Sequence, residues 1–207
     1  MENSWLSMAK RLQAIATTGN TYVQDKFDQE RYDEVSAIAL QMMADLSQKP
    51  VEVMADLFNE GAASYQTPKG EVRAAVFHED RILLIQEKSD GLWALPGGFA
   101  DLGLSPAENV EKEVHEEANI EVEATHLYSV RHKSKGAYDP DVIDFYKMFF
   151  LCRIKNNHAV SPGLETSGAA YFELDNLPPL STGRTIAGDL LAAWDFKNNT
   201  SQATYFE

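Results

Sequence analysis

Residues 96–120, PGGFADLGLSPAENVEKEVHEEANI, constrain the fold more than any other stretch of the chain. Ser105 stands where a helix N-cap belongs, Pro106 fits the first turn, and Glu108 lies three residues after the serine. That pattern is a capping box, and it predicts a helix beginning at Ser105. A fixed start fixes the phase of everything after it. Ala107, Val110, Val114 and Ala118 then point to a core, while Glu113, Glu116 and Glu117 share a face. Like charges at that spacing repel one another, and Lys112 and His115 offset only part of the cost. Two explanations stand. The face is simply solvated, since glutamate is a good helix former. Or it holds a hard divalent cation, which takes oxygen ligands. The pair Gly97-Gly98, between an apolar segment and a loop, permits close backbone approach or a positive φ. Such a turn can hold the helix against a strand. No Gly-x-x-x-x-Gly-Lys-Ser/Thr phosphate loop is present.

The chain has 207 residues, enough for one large domain or one domain with an appendage. A hydrophobic share of 44% supports a packed core. A net charge of -14 disfavours broad binding to nucleic acid phosphates, but not a nucleotide held through metal ions. Cys152 is the single cysteine, so no internal disulfide forms, and its neighbours Phe149, Phe150 and Leu151 mark it as a buried strand residue. No apolar run reaches the roughly 18 residues of a membrane span, and the first residues lack a leader pattern. A cytoplasmic protein is expected.

Two regions are expected, 1–66 and 67–207. In the first, Trp5, Leu6, Met8, Ala9, Leu12, Ile15 and Ala16 recur at helical spacing, with a break at Gly19-Asn20. A second helix starts near Asp28 and ends before Pro50, and a third covers Val51 to Phe58. These helices are short for a core of their own, so they serve as a stabilising appendage or as a dimerisation arm that helps shape the substrate pocket. In the second region, Val72–Phe77 and Arg81–Gln86 form a hairpin. Leu92–Leu95 is a short apolar segment ahead of Pro96, Ile120–His132 a long strand or strand pair, and Val142–Ile154 and Ala169–Leu174 are further strands, with Arg184–Phe196 as a closing helix. The tail from Lys197 is expected to be loose. Helices on both faces of a mixed sheet give an α/β/α sandwich behind a small helical domain.

Gly98 through Ile120 resembles the Nudix box of the Nudix hydrolases. Gly98 matches its glycine, Lys112-Glu113 stands for its Arg-Glu pair, and Glu116-Glu117 matches its Glu-Glu pair. Asn119 replaces the last glycine, and Ile120 keeps the aliphatic position. Leu104 stands where a glutamate is usual, which bears on loop geometry more than on chemistry. The whole chain is similar to a bacterial subgroup with a helical N-terminal segment that acts on nucleoside diphosphates linked to another moiety. The resemblance implies an α/β/α Nudix fold and a metal-dependent pyrophosphohydrolase using Mg2+ or Mn2+, with CDP-choline or ADP-ribose as substrate. It implies Glu113, Glu116 and Glu117 as metal ligands, with Glu116 and Glu117 also in catalysis and Lys112 holding a glutamate or a phosphate. Glu165, on the loop before the last strand, is the candidate further carboxylate.

For the substrate, the basic run Arg131, His132, Lys133 and Lys135 can reach diphosphate oxygens or be a solvated turn, with Arg131 and Lys133 the candidates. Phe99 and Tyr138 are candidates to stack on a base, against packing in the core or rim, and Tyr146 favours packing. Alternative substrates are NADH, a nucleoside triphosphate or an RNA 5′ end, with RNA as a minor one. A nucleotide-binding regulatory module is the non-enzymatic alternative. A homodimer is expected and no membrane partner.

Overall fold

The computed structural model describes residues 3–59, 66–155 and 159–207. The described residues up to Pro68 form one compact unit with Pro140–Asp144, and Lys69–Asp139 form a second with Phe145–Glu207. Among them no helix is long and apolar enough to cross a membrane.

The first unit contains α1 (Ser4–Tyr22), α2 (Lys26–Ser47) and α3 (Val51–Asn59). Asn3 caps α1 by accepting from the Trp5 amide, and Asp25 caps α2 by accepting from the amides of Phe27 and Asp28. Gly19-Asn20 does not break α1, which continues to Tyr22. A Cβ at Gly19 would lie 2.4 Å from the Tyr32 ring, so the glycine serves the close crossing of α1 and α2. Leu6, Ala9, Met43, Ala44 and Met54 form the core here, joined by Val142. The buried Lys10 pairs with Asp144 and donates to the Asp141 carbonyl at 3.3 Å. The strand expected from Val142 accordingly starts only at Phe145. The other side of α1 presents Trp5, Met8, Leu12, Ile15 and Tyr22 to solvent. Trp5, Met8, Leu12 and Ile15 recur at intervals of three and four, the spacing of a coiled-coil seam, with Tyr22 two turns further along.

The second unit is a mixed sheet of β1 (Lys69–His78), β2 (Arg81–Glu87), β3 (Trp93–Ala94), β4 (Val122–His132), β5 (Phe145–Ile154), β6 (Thr166–Glu173) and β7 (Tyr205–Phe206). β1 and β2 pair only at the hairpin tip, through Phe77↔Ile82 and His78↔Arg81. They then diverge. β3 takes the vacated edge of β2, β6 lines its other edge, and β1 runs parallel to β5 from Lys69↔Phe145 to Val76↔Cys152. β4 is one antiparallel strand with two register shifts rather than a strand pair.

Two helices cover the sheet. α4 (Pro106–Ala118) lays Val110, Val114 and Ala118 on Val72, Ala74, Val76, Phe150 and Cys152. α5 (Ala187–Asn198) lays Leu190, Ala193 and Phe196 on Ala75, Tyr128 and Phe149. The alternation along β1 sends even residues to α4 and odd residues to α5. Cys152 is buried under α4, and burial pushes its thiol up to about 12. The tail is not loose throughout. Tyr205 and Phe206 pair in parallel with Ser129 and Val130, and the Thr204 hydroxyl donates to the Leu127 carbonyl at 2.7 Å.

Candidate active site

The capping box forms as the sequence predicts. The Glu108 amide donates to Ser105 Oγ at 3.2 Å, and Glu108 Oε2 accepts from the Ser105 amide at 2.7 Å. The loop before the helix, where Leu104 departs from the usual glutamate, is held by Asn109. Its Oδ1 accepts from the Asp101 amide at 2.8 Å, and its Nδ2 donates to the carbonyls of Leu104 and Ser105 at 3.3 and 3.1 Å. Asn109 is almost fully buried. Leu104 itself lies exposed. At the other end Asn119 takes a left-handed φ of 54° and caps the helix, the conformation that glycine would otherwise supply.

The turn before the loop runs beside β1 as an irregular strand. The Val72 amide donates to the Gly98 carbonyl at 2.9 Å, Ala74 to Pro96 at 2.8 Å, and Ala100 to Gly70 at 3.0 Å. Gly97 has φ +143°, and a Cβ there would stand 2.0 Å from the Val72 carbonyl oxygen. No other residue fits. Its amide points the opposite way and donates to Glu117 Oε2 at 2.8 Å. At Gly98 a Cβ would come 2.9 Å from Glu113 Oε1. The glycine pair therefore brings backbone against both carboxylates.

Glu117 is only 8% exposed. Burial pushes its carboxyl up to about 7, against the pull of Arg73 and the Gly97 amide. Burial also raises Glu113, with Lys112 opposing and Glu116 adding to the rise. Glu116 is exposed and accepts from Lys112 Nζ at 2.7 Å. Lys112 reaches Asp101 as well, at 3.2 Å, and these two carboxylates hold its ammonium above the ordinary lysine range.

Beneath the turn lies a group of buried charges that the sequence did not single out. Arg73, 4% exposed, donates from Nε to Glu71 Oε1 at 2.6 Å and from Nη1 to the Leu95 carbonyl at 2.8 Å. Lys147, fully buried, donates to the same Glu71 oxygen at 2.6 Å. Burial opposes the charge on Glu71, but Arg73 and Lys147 outweigh it and hold the carboxyl below its usual range. Burial and the neighbouring Arg73 bring Lys147 down to about 8. An i, i+2 signal exists in Glu71-x-Arg73, but alternating charge reads equally as the wet face of a strand.

Of the expected substrate residues, Phe99 sits at the turn, 54% exposed, with its ring stacked on Phe145 at 5.4 Å and Lys69 Nζ 5.4 Å from its centroid. Lys133 is buried and lies over the Phe145 ring at 5.0 Å. Arg131 turns inward, with Nη1 3.6 Å from buried Asp189 and Nε donating to Ser129 Oγ at 3.1 Å. Tyr138 requires a correction. It is 4% exposed and donates to Asp189 at 2.6 Å, so its ring is a core element with no face for a base. Tyr146, assigned to packing in the core or rim, is half exposed and packs edge-on to His132 at the rim.

Glu165 is exposed on a loop fastened to the end of α4. Thr166 Oγ1 donates to the Glu117 carbonyl at 2.9 Å, Gly163 N donates to the same carbonyl at 3.2 Å, and Asn119 Nδ2 donates to the Pro162 carbonyl at 3.0 Å. A Cβ at Gly163 would lie 1.7 Å from the Glu116 carbonyl oxygen. The loop and the carboxylate helix thus form one construction.

Residues 67–194 match the NUDIX domain family. The chain is a Nudix hydrolase. Residues 3–58 match a second family, described as the UDP-X-like N-terminal oligomerisation domain. A Bacillus subtilis (strain 168) protein named "Putative ADP-ribose pyrophosphatase YjhB" is 42% identical over 207 residues, 100% of this chain and 99% of its own length. A crystal structure of an ADP-ribose pyrophosphatase from Streptococcus suis 89-1591 is 41% identical, with TM-score 0.62 over 68% of this chain and 100% of its own. A crystal structure of a UDP-X diphosphatase is 27% identical, with TM-score 0.64 over 98% of each chain. The Nudix hydrolase described here is a pyrophosphohydrolase. It cleaves a phosphoanhydride bond in a nucleoside diphosphate joined to another moiety.

Membership implies dependence on a divalent metal, and the donors present fit one. Glu113 and Glu117 carry hard oxygen donors whose charge burial disfavours, and a cation would offset that cost. Among the described residues no three acidic, histidine or cysteine side chains already stand as a ligand group. Glu116 is directed to Lys112 instead.

Proposed function

We propose that this Nudix hydrolase acts on ADP-ribose, with water splitting the pyrophosphate to give AMP and ribose 5-phosphate. The observation that carries the reading is the 42% identity, over the full length of both chains, to the Bacillus subtilis protein named for that activity. Glu113 and Glu117 hold the divalent cation, Mg2+ or Mn2+, and Glu116 joins them on leaving Lys112, whose ammonium keeps Asp101. The bound cation supplies charge neutralisation on the pyrophosphate and lowers the pKa of a water. Glu117 stays fixed through the Gly97 amide. Glu165, carried by the loop tied to α4, takes the proton of the attacking water. The exposed ring of Phe99 offers a stacking face to the base.

A panel of ADP-ribose, CDP-choline, UDP-glucose, NADH, a nucleoside triphosphate and 5′-triphosphorylated RNA, assayed with Mg2+ and Mn2+, tests this. ADP-ribose is expected to show the highest kcat/KM. A higher value for UDP-glucose would favour the UDP-linked reading, which the UDP-X diphosphatase structure supports through its 98% coverage. Binding without turnover of any of them would replace the enzyme reading with a regulatory one.

The protein is further proposed to be a homodimer joined through α1. The exposed seam of Trp5, Met8, Leu12, Ile15 and Tyr22 supports this, as does the match to an oligomerisation domain. Ile15→Glu is expected to shift the mass by light scattering from dimer to monomer. A monomeric parent protein would refute the arrangement.

A further inference from the structure

Three buried positions of β1 fasten the turn that carries the site. The amides of Val72 and Ala74 hold the carbonyls of Gly98 and Pro96. Between them, the Arg73 side chain holds the carbonyl of Leu95. Backbone amides are available to any sequence, but the Leu95 contact exists only because position 73 carries a long donor. A buried guanidinium is a costly way to bind one carbonyl, and an apolar side chain would pack the same volume without desolvating a charge. The charge is also located. Arg73 backs directly onto the glycine pair, since a Cβ at Gly97 would lie 2.9 Å from the Arg73 Cα, while the Gly97 amide donates to Glu117 and Gly98 abuts Glu113. Glu71 holds the other edge of the guanidinium and is itself fixed by Lys147. The side chain thus has no freedom to follow the carboxylates. They must take their places around it.

We propose that Arg73 is a positioning residue for the hydrolytic reaction: it locks the Leu95–Gly98 turn so that the Gly97 amide presents Glu117, and it places a fixed positive charge behind the Glu113–Glu117 pair. The inference rests on the reading of Glu117 as a metal ligand, but not on the identity of the nucleoside or the linked moiety. It uses no substrate contact, because Arg73 is buried beneath the turn. The effect falls on kcat and on the cation, and not on nucleotide affinity.

The test compares Arg73→Met and Arg73→Lys in the full-length protein. Kinetics and Mn2+ binding by calorimetry are read alongside the amide resonance of Gly97. Outer-shell partners of metal ligands typically contribute 10- to 100-fold, so Arg73→Met is expected to lower kcat by about that factor, with KM changed less than about threefold. The Gly97 resonance moves and Mn2+ affinity changes. Arg73→Lys keeps the charge but not the fork that spans Glu71 and Leu95, so it recovers only part of kcat. A folded Arg73→Met protein with wild-type kcat and an unmoved Gly97 amide overturns the proposal. Should Arg73→Met not fold, Arg73→Lys decides alone: full kcat with an unmoved Gly97 amide overturns it equally. Glu117→Gln is run beside them. Retained turnover there strikes at the role of Glu117, whatever Arg73 does.

Discussion

Glu71 and Glu117 are both buried glutamates, on opposite sides of the same glycine turn, and they are built in opposite ways. Glu71 accepts from two cations, Arg73 and Lys147, and its carboxyl sits below the usual range. Glu117 accepts from one backbone amide, and its carboxyl sits near neutrality. Burial acts on both. The difference lies in whether a cation bonds the carboxylate directly: Arg73 and Lys147 do so at Glu71, whereas at Glu117 Arg73 acts only through space. A buried carboxylate without a bonded cation has room for one from outside, which is what the proposed metal role of Glu117 requires.

The comparison breaks most severely if Glu117 can be neutralised without consequence. Glu117→Gln keeps an acceptor for the Gly97 amide but no negative charge. Turnover is expected to fall at least about a thousandfold, or about 4 kcal/mol, with unchanged circular dichroism. The same change at Glu71 should act on stability instead. Glu71→Gln leaves Arg73 and Lys147 as neighbouring buried cations without their partner, and a loss of about 3 kcal/mol or more is expected by urea denaturation. If the two variants behaved alike, the distinction would be lost.

The pH dependence sharpens the contrast, because the two groups have opposite signs. Glu117 is raised from 4.5 to about 7 on folding. Its contribution is complete below about 4.5 and disappears as pH rises through 7, so the metal-free protein loses about 3 kcal/mol across that window. Glu71 is lowered, so its contribution is present above about 4.5 and lost on further acidification. Thermal melting of the metal-free protein from pH 2 to 8 should therefore decline towards both ends. Glu117→Gln flattens only the alkaline side. Saturating Mg2+ flattens it too, since the cation favours the ionised carboxylate.

The smallest effect concerns the loop. Asn109→Ala removes the acceptor for the Asp101 amide and the donor to Leu104 and Ser105. It is expected to reduce stability by about 1–2 kcal/mol and turnover by less than the change at Glu117. Melting and kcat measured on one preparation check both.

Much of the site was legible because its determinants are local. Ser105, Pro106 and Glu108 set the start of α4, and the rest of its phase followed. Asn119 was readable as a left-handed cap for the same reason. What escaped depends on distant chain. Glu71 and Arg73 look like the wet face of a strand until β5 places Lys147 and Phe149 beside them. Tyr138 looks like a loop aromatic until Asp189, on a helix far along the chain, accepts its hydroxyl. Gly19 was read as a breaker because its use, room for Tyr32, lies in another helix. The pairing of Tyr205-Phe206 with β4 left no local trace, since two residues are too few for a period. Asn109 was visible only as a polar residue inside a helix, and its role appeared with the loop that folds back on it.

Cys152 gives the molecule a built-in clock. Its sulfur projects from β5 under α4, opposite Val76 of β1, and its thiol is protonated throughout the neutral range. A thiol reagent can therefore reach it only when the helix lifts from the sheet. Labelling kinetics of the unmodified protein then count those openings, with no engineered probe, and every nucleotide or cation that tightens the α4 face should slow the count.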